Sequence, residues 1–220
     1  MKMPKMTRNL LIIMVVVFLA QNVFTQRLAQ FMLWPLGHFP MMVDNSGTVR
    51  DFGFMPWQLV TYGFMHDTKS LFHLLFNGIA LYQFGSRLEY TWGAQKFLTF
   101  FLVCVIGAGL CQLAVVSYWY NPQIGPVPTL GASGGVYGIL MAYGMLFTKE
   151  RLMLMFPPIP MTARTLVLIF GAIELFLGVT GTQSGVAHFA HLGGMIFGWL
   201  LIRYWRGQPP FQKKRHLRGV

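Results

Sequence analysis

The chain has 220 residues, of which 55% are hydrophobic and only 10% charged, against roughly 25% charged in soluble domains; with a mean hydropathy of +0.52, this excludes a water-soluble globule and points to a polytopic membrane protein. A net charge of +11 invites a nucleic-acid reading, but the basic residues fall where a topology signal puts them, so no nucleic acid is expected as a partner. The two cysteines, Cys104 and Cys111, lie on one apolar stretch, about 10 Å apart along a helix axis and too far to bridge each other, and are read as apolar filler.

Lys2, Lys5 and Arg8 precede the apolar run 10–20, a pattern that signal peptides share with first membrane helices. Phe18 and Leu19 stand where a cleavage site wants small side chains, which favours a retained helix. Residues 31–70 are rich in Trp, Phe, Met, Gly and Pro, and carry Asp44, Asp51 and Asp67. Trp34, Trp57 and Tyr62 there suit an outer loop lying at the membrane interface. Apolar spans then follow at 71–86, 97–118, 133–147, 165–180 and 186–202, making six with the first, so an all-α, six-span membrane bundle is expected.

The fourth span is short for about 30 Å of hydrocarbon. A helix starting at Ser133 would then begin inside the membrane, with the Pro-rich segment 121–130 as a re-entrant loop ahead of it, covered by protein or lining a wet cavity. With the N-terminus inside, only Arg27, Arg50 and Lys69 of the 17 Lys and Arg face outward, which puts both termini in the cytoplasm. Residues 1–206 form the membrane domain, and 207–220 form a basic tail whose Lys213-Lys214-Arg215 run is read as a topology signal touching anionic headgroups.

This topology starts the second, fourth and sixth spans on the outer side, and polar residues gather in their first turns: His73 and Asn77, then Ser133, then His188 and His191. In hydrocarbon each unpaired polar group costs several kcal/mol. Ser133 is set among Gly131, Gly134 and Gly135, as a nucleophile in a tight turn would be, but a serine hydroxyl needs a base and donors for the oxyanion. Gly134 with Gly138, and Gly194 with Gly198, give two helices small residues at intervals of four, which lets their backbones approach and brings His191 within reach of Ser133. Tyr137 shares the helix face of Ser133. His73 and Asn77 share a face too, and with the unpaired N–H groups of the fourth helix's first turn they would form an oxyanion hole. Singly, each residue reads as well as packing glue; gathered at one depth they read as a hydrolytic site. Glu174, the acid within a span, either orients a histidine or pairs elsewhere, and a Ser-His dyad is the more economical expectation.

With Gly131-Ala132-Ser133-Gly134, Ala190-His191-Leu192-Gly193-Gly194 followed by Gly198, and His73-Leu74-Leu75-Phe76-Asn77, the chain resembles the rhomboid intramembrane serine proteases over nearly its whole length. The resemblance implies Ser133 as nucleophile, His191 as general base, His73 and Asn77 as oxyanion partners with Gly131 in the supporting turn, and Tyr137 packed on the imidazole; His188 is the neighbouring histidine rather than the base. It further implies a basic six-span bacterial enzyme of the inner membrane, with its site opening outward, transmembrane protein substrates drawn from the lipid bilayer, gating by the fifth span, and neither cofactor nor metal. Trp57-Gln58 departs from the family's common Trp-Arg and puts one loop contact in question. Rival readings are the soluble α/β-hydrolase elbow, which needs a preceding strand that the sequence does not offer, a non-catalytic rhomboid-like binder, and a transporter or metal site built from His66, His73, His188 and His191 without a His-Glu-x-x-His pattern.

Overall fold

The computed structural model describes residues 2–42, 47, 49–118, 123, 125–153, 158–181 and 187–211. Helix α1 spans Lys5–Val23. The second apolar segment runs as Leu71–Ala80, a π-helical turn Leu81–Gly85 and Ser86–Trp92, here together α2. Four more follow: α3 at Ala94–Tyr118, α4 at Ser133–Leu146, α5 at Ala163–Thr180 and α6 at His188–Trp205. Of these, α1, α3 and α5 are long and apolar enough to cross a membrane.

Helix α2 overruns its expected end by several residues. Glu89 explains this: its carboxylate accepts from the backbone N–H of Met6 (2.8 Å) and Thr7 (2.7 Å) and from the Thr7 hydroxyl (2.8 Å). The first turn of α1, preceded by Pro4 with no side-chain cap of its own, thus borrows its cap from another helix, and a negative charge is favoured at that end of the helix dipole. Gly93, with φ of 82°, then turns the chain into α3.

Contacts of this kind sort the helix ends. At one end lie the start of α1 and the end of α2, joined by Trp92 against Trp205 of α6 (5.5 Å between rings) and by Arg87 over Phe147 just after α4 (5.3 Å). At the other, Ser117 near the end of α3 accepts from Leu36 N–H (3.0 Å), and the segment before α4 pairs with the segment between α1 and α2 through Leu33 and Thr129. Lys5, Arg87, Lys96, Arg164 and Arg203 fall on elements at the first end with Arg206 just past α6, and Arg27 falls on a helical turn at the second with Lys69 just before α2. The Lys213-Lys214-Arg215 run, Asp44 and Asn121 lie outside the described residues.

The segment between α1 and α2 is more structured than a loop. It contains short helical turns at Thr25–Leu28 and Gln58–Thr61 and an antiparallel hairpin of β1 (Phe39–Met42) with β2 (Val49–Phe52). Gln58, where an arginine was expected, is buried and ties the segment together: its side-chain oxygen accepts from Trp34 N–H (3.1 Å), and its amide donates to Gln30 O (2.9 Å) and Gly53 O (3.1 Å). A second hairpin, β3 (Arg151–Met153) with β4 (Pro160–Thr162), links α4 to α5.

Short as it is, α4 sits in the core. Val136, Ile139 and Ala142 are buried with Phe97, Phe100, Phe101 and Cys104 of α3, Leu81 and Leu88 of α2, and Leu10 and Met14 of α1. By contrast α1 and α5 expose Ile12, Val16 and Leu19, and Leu168, Phe176 and Val179, an apolar surface suited to lipid. The tightest approach is between α4 and α6: a Cβ on Gly194 would lie 1.8 Å from the carbonyl oxygen of Gly134, and one on Gly198 would lie 3.2 Å from that of Gly138. Cys104 is fully buried as a free thiol, its sulfur filling the space beside Gly138.

Gly194→Ala is therefore expected to force α4 and α6 apart and destabilise the protein by about 1–3 kcal/mol, at roughly 2–4 °C of Tm per kcal/mol for a chain of this size. Gly78→Ala, whose new methyl would meet only Leu11 at 3.5 Å, should leave Tm unchanged or higher in the same detergent. Equal melting of both variants would contradict the close backbone approach.

Candidate active site

Immediately before α4 the chain runs extended, with Leu33 N–H donating to Thr129 O (2.9 Å) and Thr129 N–H to Leu33 O (2.8 Å). Gly131 then turns it into the helix. Its N–H donates to Tyr62 O (2.9 Å) and its φ of 128° lies in the region that favours glycine. A side chain would also be excluded by space, since a Cβ there would sit 2.8 Å from His73 Nε2 and 3.7 Å from Ser133 Oγ. The turn thus brings His73 up to the serine.

Ser133 opens α4, and His191 lies in the first turn of α6, where Ala190 and His191 N–H groups bond to Ala187 O. The close helix approach brings the two together: His191 Nε2 is 2.8 Å from Ser133 Oγ. The Tyr137 ring stacks on the imidazole at 4.2 Å between centroids and 6° between planes, leaving the imidazole few ways to turn.

On the far side of that imidazole stands Glu174 of α5. Its Oε2 accepts from His188 Nδ1 (2.6 Å) and lies 3.0 Å from His191 Nδ1, while Oε1 accepts from the Tyr137 hydroxyl. The His191 contact has ion-pair distance without hydrogen-bond alignment, and His191 Nδ1 has no other partner among the described residues. Glu174, His188 and His191 offer ligand-type atoms within 4.8 Å of one another. The His188–Glu174 contact is of hydrogen-bond length, and we read the trio as linked by protons. The sequence left Glu174 undecided and preferred a dyad; its place beside His191 is the chief addition of the structure.

His73 Nδ1 accepts from Asp67 N–H (3.3 Å), which leaves the ring proton on Nε2, the atom that faces Gly131 and Ser133. Asn77 is buried, but one N–H of its amide already donates to His73 O (2.8 Å), so only the second is free to reach a ligand. Behind them His66 stacks edge-on against His73 at 5.2 Å.

Ser133 borders two cavities, one mostly apolar and one more polar. One, of about 420 Å³, is lined by Phe76, Phe84, Val136, Leu140, Leu166 and Phe170 with His73, Asn77 and Tyr137. The other, of about 570 Å³, mixes Asp67, Ser70, His73, Gln112, Thr129 and His191 with the apolar Val116, Val127, Pro128, Leu130 and Ala187. A further apolar cavity of about 560 Å³, between Met141 and Leu175, does not reach the serine.

The sequence matches the family model of the Rhomboid domain over residues 53–207. Among curated proteins it is similar to Rhomboid protease GlpG of Haemophilus influenzae, 26% identical over 88% of this chain and 87% of that one. It is similar as well to Rhomboid protein 1, mitochondrial, of Saccharomyces cerevisiae, 29% identical over 69% of this chain, and to Rhomboid protease AarA of Providencia stuartii, 31% identical over 59% of it. The chain spans 43% of the yeast relative and 49% of the Providencia one.

Burial, with the charge of His73 beside it, pushes His66 from its usual 6.5 down to about 4, against a smaller opposing effect of the Phe64 carbonyl. The folded protein keeps this imidazole neutral, so its contribution to stability is complete above pH 6.5 and is lost as pH falls from there toward 4, on the order of 3 kcal/mol. Tm in detergent should therefore fall over that window more steeply in the wild type than in His66→Gln; parallel curves would contradict a neutral, buried His66.

Proposed function

The chain belongs to the rhomboid family of membrane proteins, and from that premise we propose that it is an intramembrane serine endopeptidase cutting transmembrane or juxtamembrane segments of other membrane proteins. The observation that carries this reading is the 2.8 Å contact of Ser133 Oγ with His191 Nε2 at the border of an apolar and a polar cavity. The first suits a substrate segment arriving from lipid; the second suits water.

In this reading α1 to α6 are six spans, and residues 125–132 belong to a re-entrant segment held by Leu33 and Tyr62. The basic end of the bundle faces the cytoplasm of a bacterial inner membrane, the site opens to the outer side, and 207–220 is a cytoplasmic tail. A substrate helix unwinds locally beside Phe76 and Phe170, because a helical carbonyl is shielded by its own hydrogen bond. Ser133 Oγ attacks that carbonyl while its proton passes to His191 Nε2. The oxyanion is held by His73 Nε2–H, the second amide N–H of Asn77 and the unpaired N–H groups at the start of α4. His191 returns the proton to the leaving amine, and the acyl-enzyme is hydrolysed by water from the polar cavity, with His191 again as base. Neither a cofactor nor a metal takes part.

Ser133→Ala is expected to lower cleavage of a transmembrane reporter in liposomes by 10³-fold or more, with Tm unchanged. A chelator should leave the wild-type rate untouched, whereas a metal held by Glu174, His188 and His191 would make the rate fall. Cleavage persisting in Ser133→Ala, or lost to chelation, would overturn the assignment.

A further inference from the structure

We propose that Glu174 is a positioning residue that completes a Ser133-His191-Glu174 relay, holding the base with Nδ1 protonated and Nε2 turned to the serine, and stabilising the imidazolium as it forms. The proposal rests on the serine-protease reading above and adds to it a function for the one acid of α5.

Three contacts converge on this carboxylate. Tyr137 donates its hydroxyl to Oε1, His188 donates Nδ1–H to Oε2 at 2.6 Å, and His191 Nδ1 lies 3.0 Å from the same Oε2. On the opposite flank of the His191 imidazole the Tyr137 ring is stacked. A neutral imidazole has one N–H, and of the two groups facing its nitrogens only the carboxylate has a fixed preference, since a serine hydroxyl can donate or accept. A carboxylate accepts only, so a proton on Nδ1 is favoured, and Nε2 is then left bare toward the serine hydroxyl at 2.8 Å. The opposite tautomer would set a lone pair against a carboxylate oxygen in a buried place, where the repulsion is strong.

The groups facing His191 from each neighbouring element are Asp67 and His73 across the polar cavity, Tyr137 of α4, Glu174 of α5, and His188 of its own helix. Only Glu174 and Asp67 among them carry negative charge, and only Glu174 reaches the ring. His188 is already bonded to Oε2, which explains why the His191 contact lacks alignment at rest. Catalytic hydrogen bonds often tighten only when charge develops, and proton transfer from Ser133 creates the charge toward which Oε2 would turn. His188 and Tyr137 thus act as the carboxylate's fixed hydrogen-bond donors. The burial of His188 and Glu174, 5% and 6% exposed, is the setting in which removing one partner of an ionic contact is strongly felt.

The test compares wild type, Glu174→Gln and Glu174→Asp on the same reporter, with kcat and KM resolved across pH. Glu174→Gln should lower kcat about 100-fold or more with KM changed less than about threefold, and should move the acid limb of the kcat/KM profile to lower pH, because the imidazolium loses its counter-ion. Glu174→Asp should recover part of the rate and return the limb toward its original position. A wild-type rate and profile in Glu174→Gln, with Ser133→Ala inactive, would overturn this proposal and leave the serine-protease reading standing. A wild type that cuts nothing, or an active Ser133→Ala, would overturn both. Should Glu174→Gln fail to fold, 15N spectra of histidine-labelled wild type decide the matter: His191 protonated at Nδ1 supports the relay, and His191 protonated at Nε2 overturns it.

Discussion

The near-contact of two helix backbones, Gly194 of α6 against the Gly134 carbonyl of α4, is the constraint on which the rest depends. Ser133 is adjacent to one of these residues, and His191 is one turn before the other. Side chains as short as serine and histidine meet only if their axes lie closer than ordinary side-chain packing allows, and glycine removes the atoms that would prevent it. The same track places Cys104 sulfur against Gly138 and Gly198, so α3 locks the pair from behind. The hydroxyl–imidazole contact is therefore a consequence of core packing.

Around that pair the polar groups are handled in two ways. Far from the site, at the basic end, the acids are matched: Glu89 caps α1, and Glu150 accepts from Tyr143 (2.8 Å), while Ser86 Oγ alone at that end is buried without a partner among the described residues. Near the site some are left incomplete. His66 Nε2, His188 Nε2 and the Gln112 side-chain oxygen are buried without partners among the described residues, and Asn77 spends one N–H on its own helix. Unmatched buried polar atoms are costly, and their concentration at the end of the bundle where Ser133 meets a polar cavity is what a site prepared for water and an oxyanion requires.

Much of this was legible in the chain. Long apolar runs gave the helices, because hydrocarbon-length stretches have few alternatives, and polar residues in the first turns of three of them singled out Ser133, His191, His73 and Asn77. What was hidden depended on partners distant in sequence. Glu89 reads as a residue past the end of a span until its bonds to Met6 and Thr7 extend α2 over it. Gln58 reads as a departure until its three backbone bonds are seen. The strands of β3 and β4, three residues each, are too short for an alternating pattern. Glu174 was visible as an acid in an apolar helix, but whether it met a histidine depended on how α5 is rotated against α6, which periodicity does not fix. Tyr137 was placed beside the imidazole by its spacing from Ser133, while its hydroxyl bond to Glu174 needed the third helix.

The central claim is that His191 makes Ser133 a nucleophile. Its most direct measurement is peptide mass spectrometry after treatment of the detergent-solubilised protein with a fluorophosphonate, which reports the residue that attacks. The account predicts one adduct, on Ser133, formed in the wild type and absent from His191→Ala. An unmodified Ser133 in a protein that still cuts its reporter, or equal modification in both proteins, would contradict it.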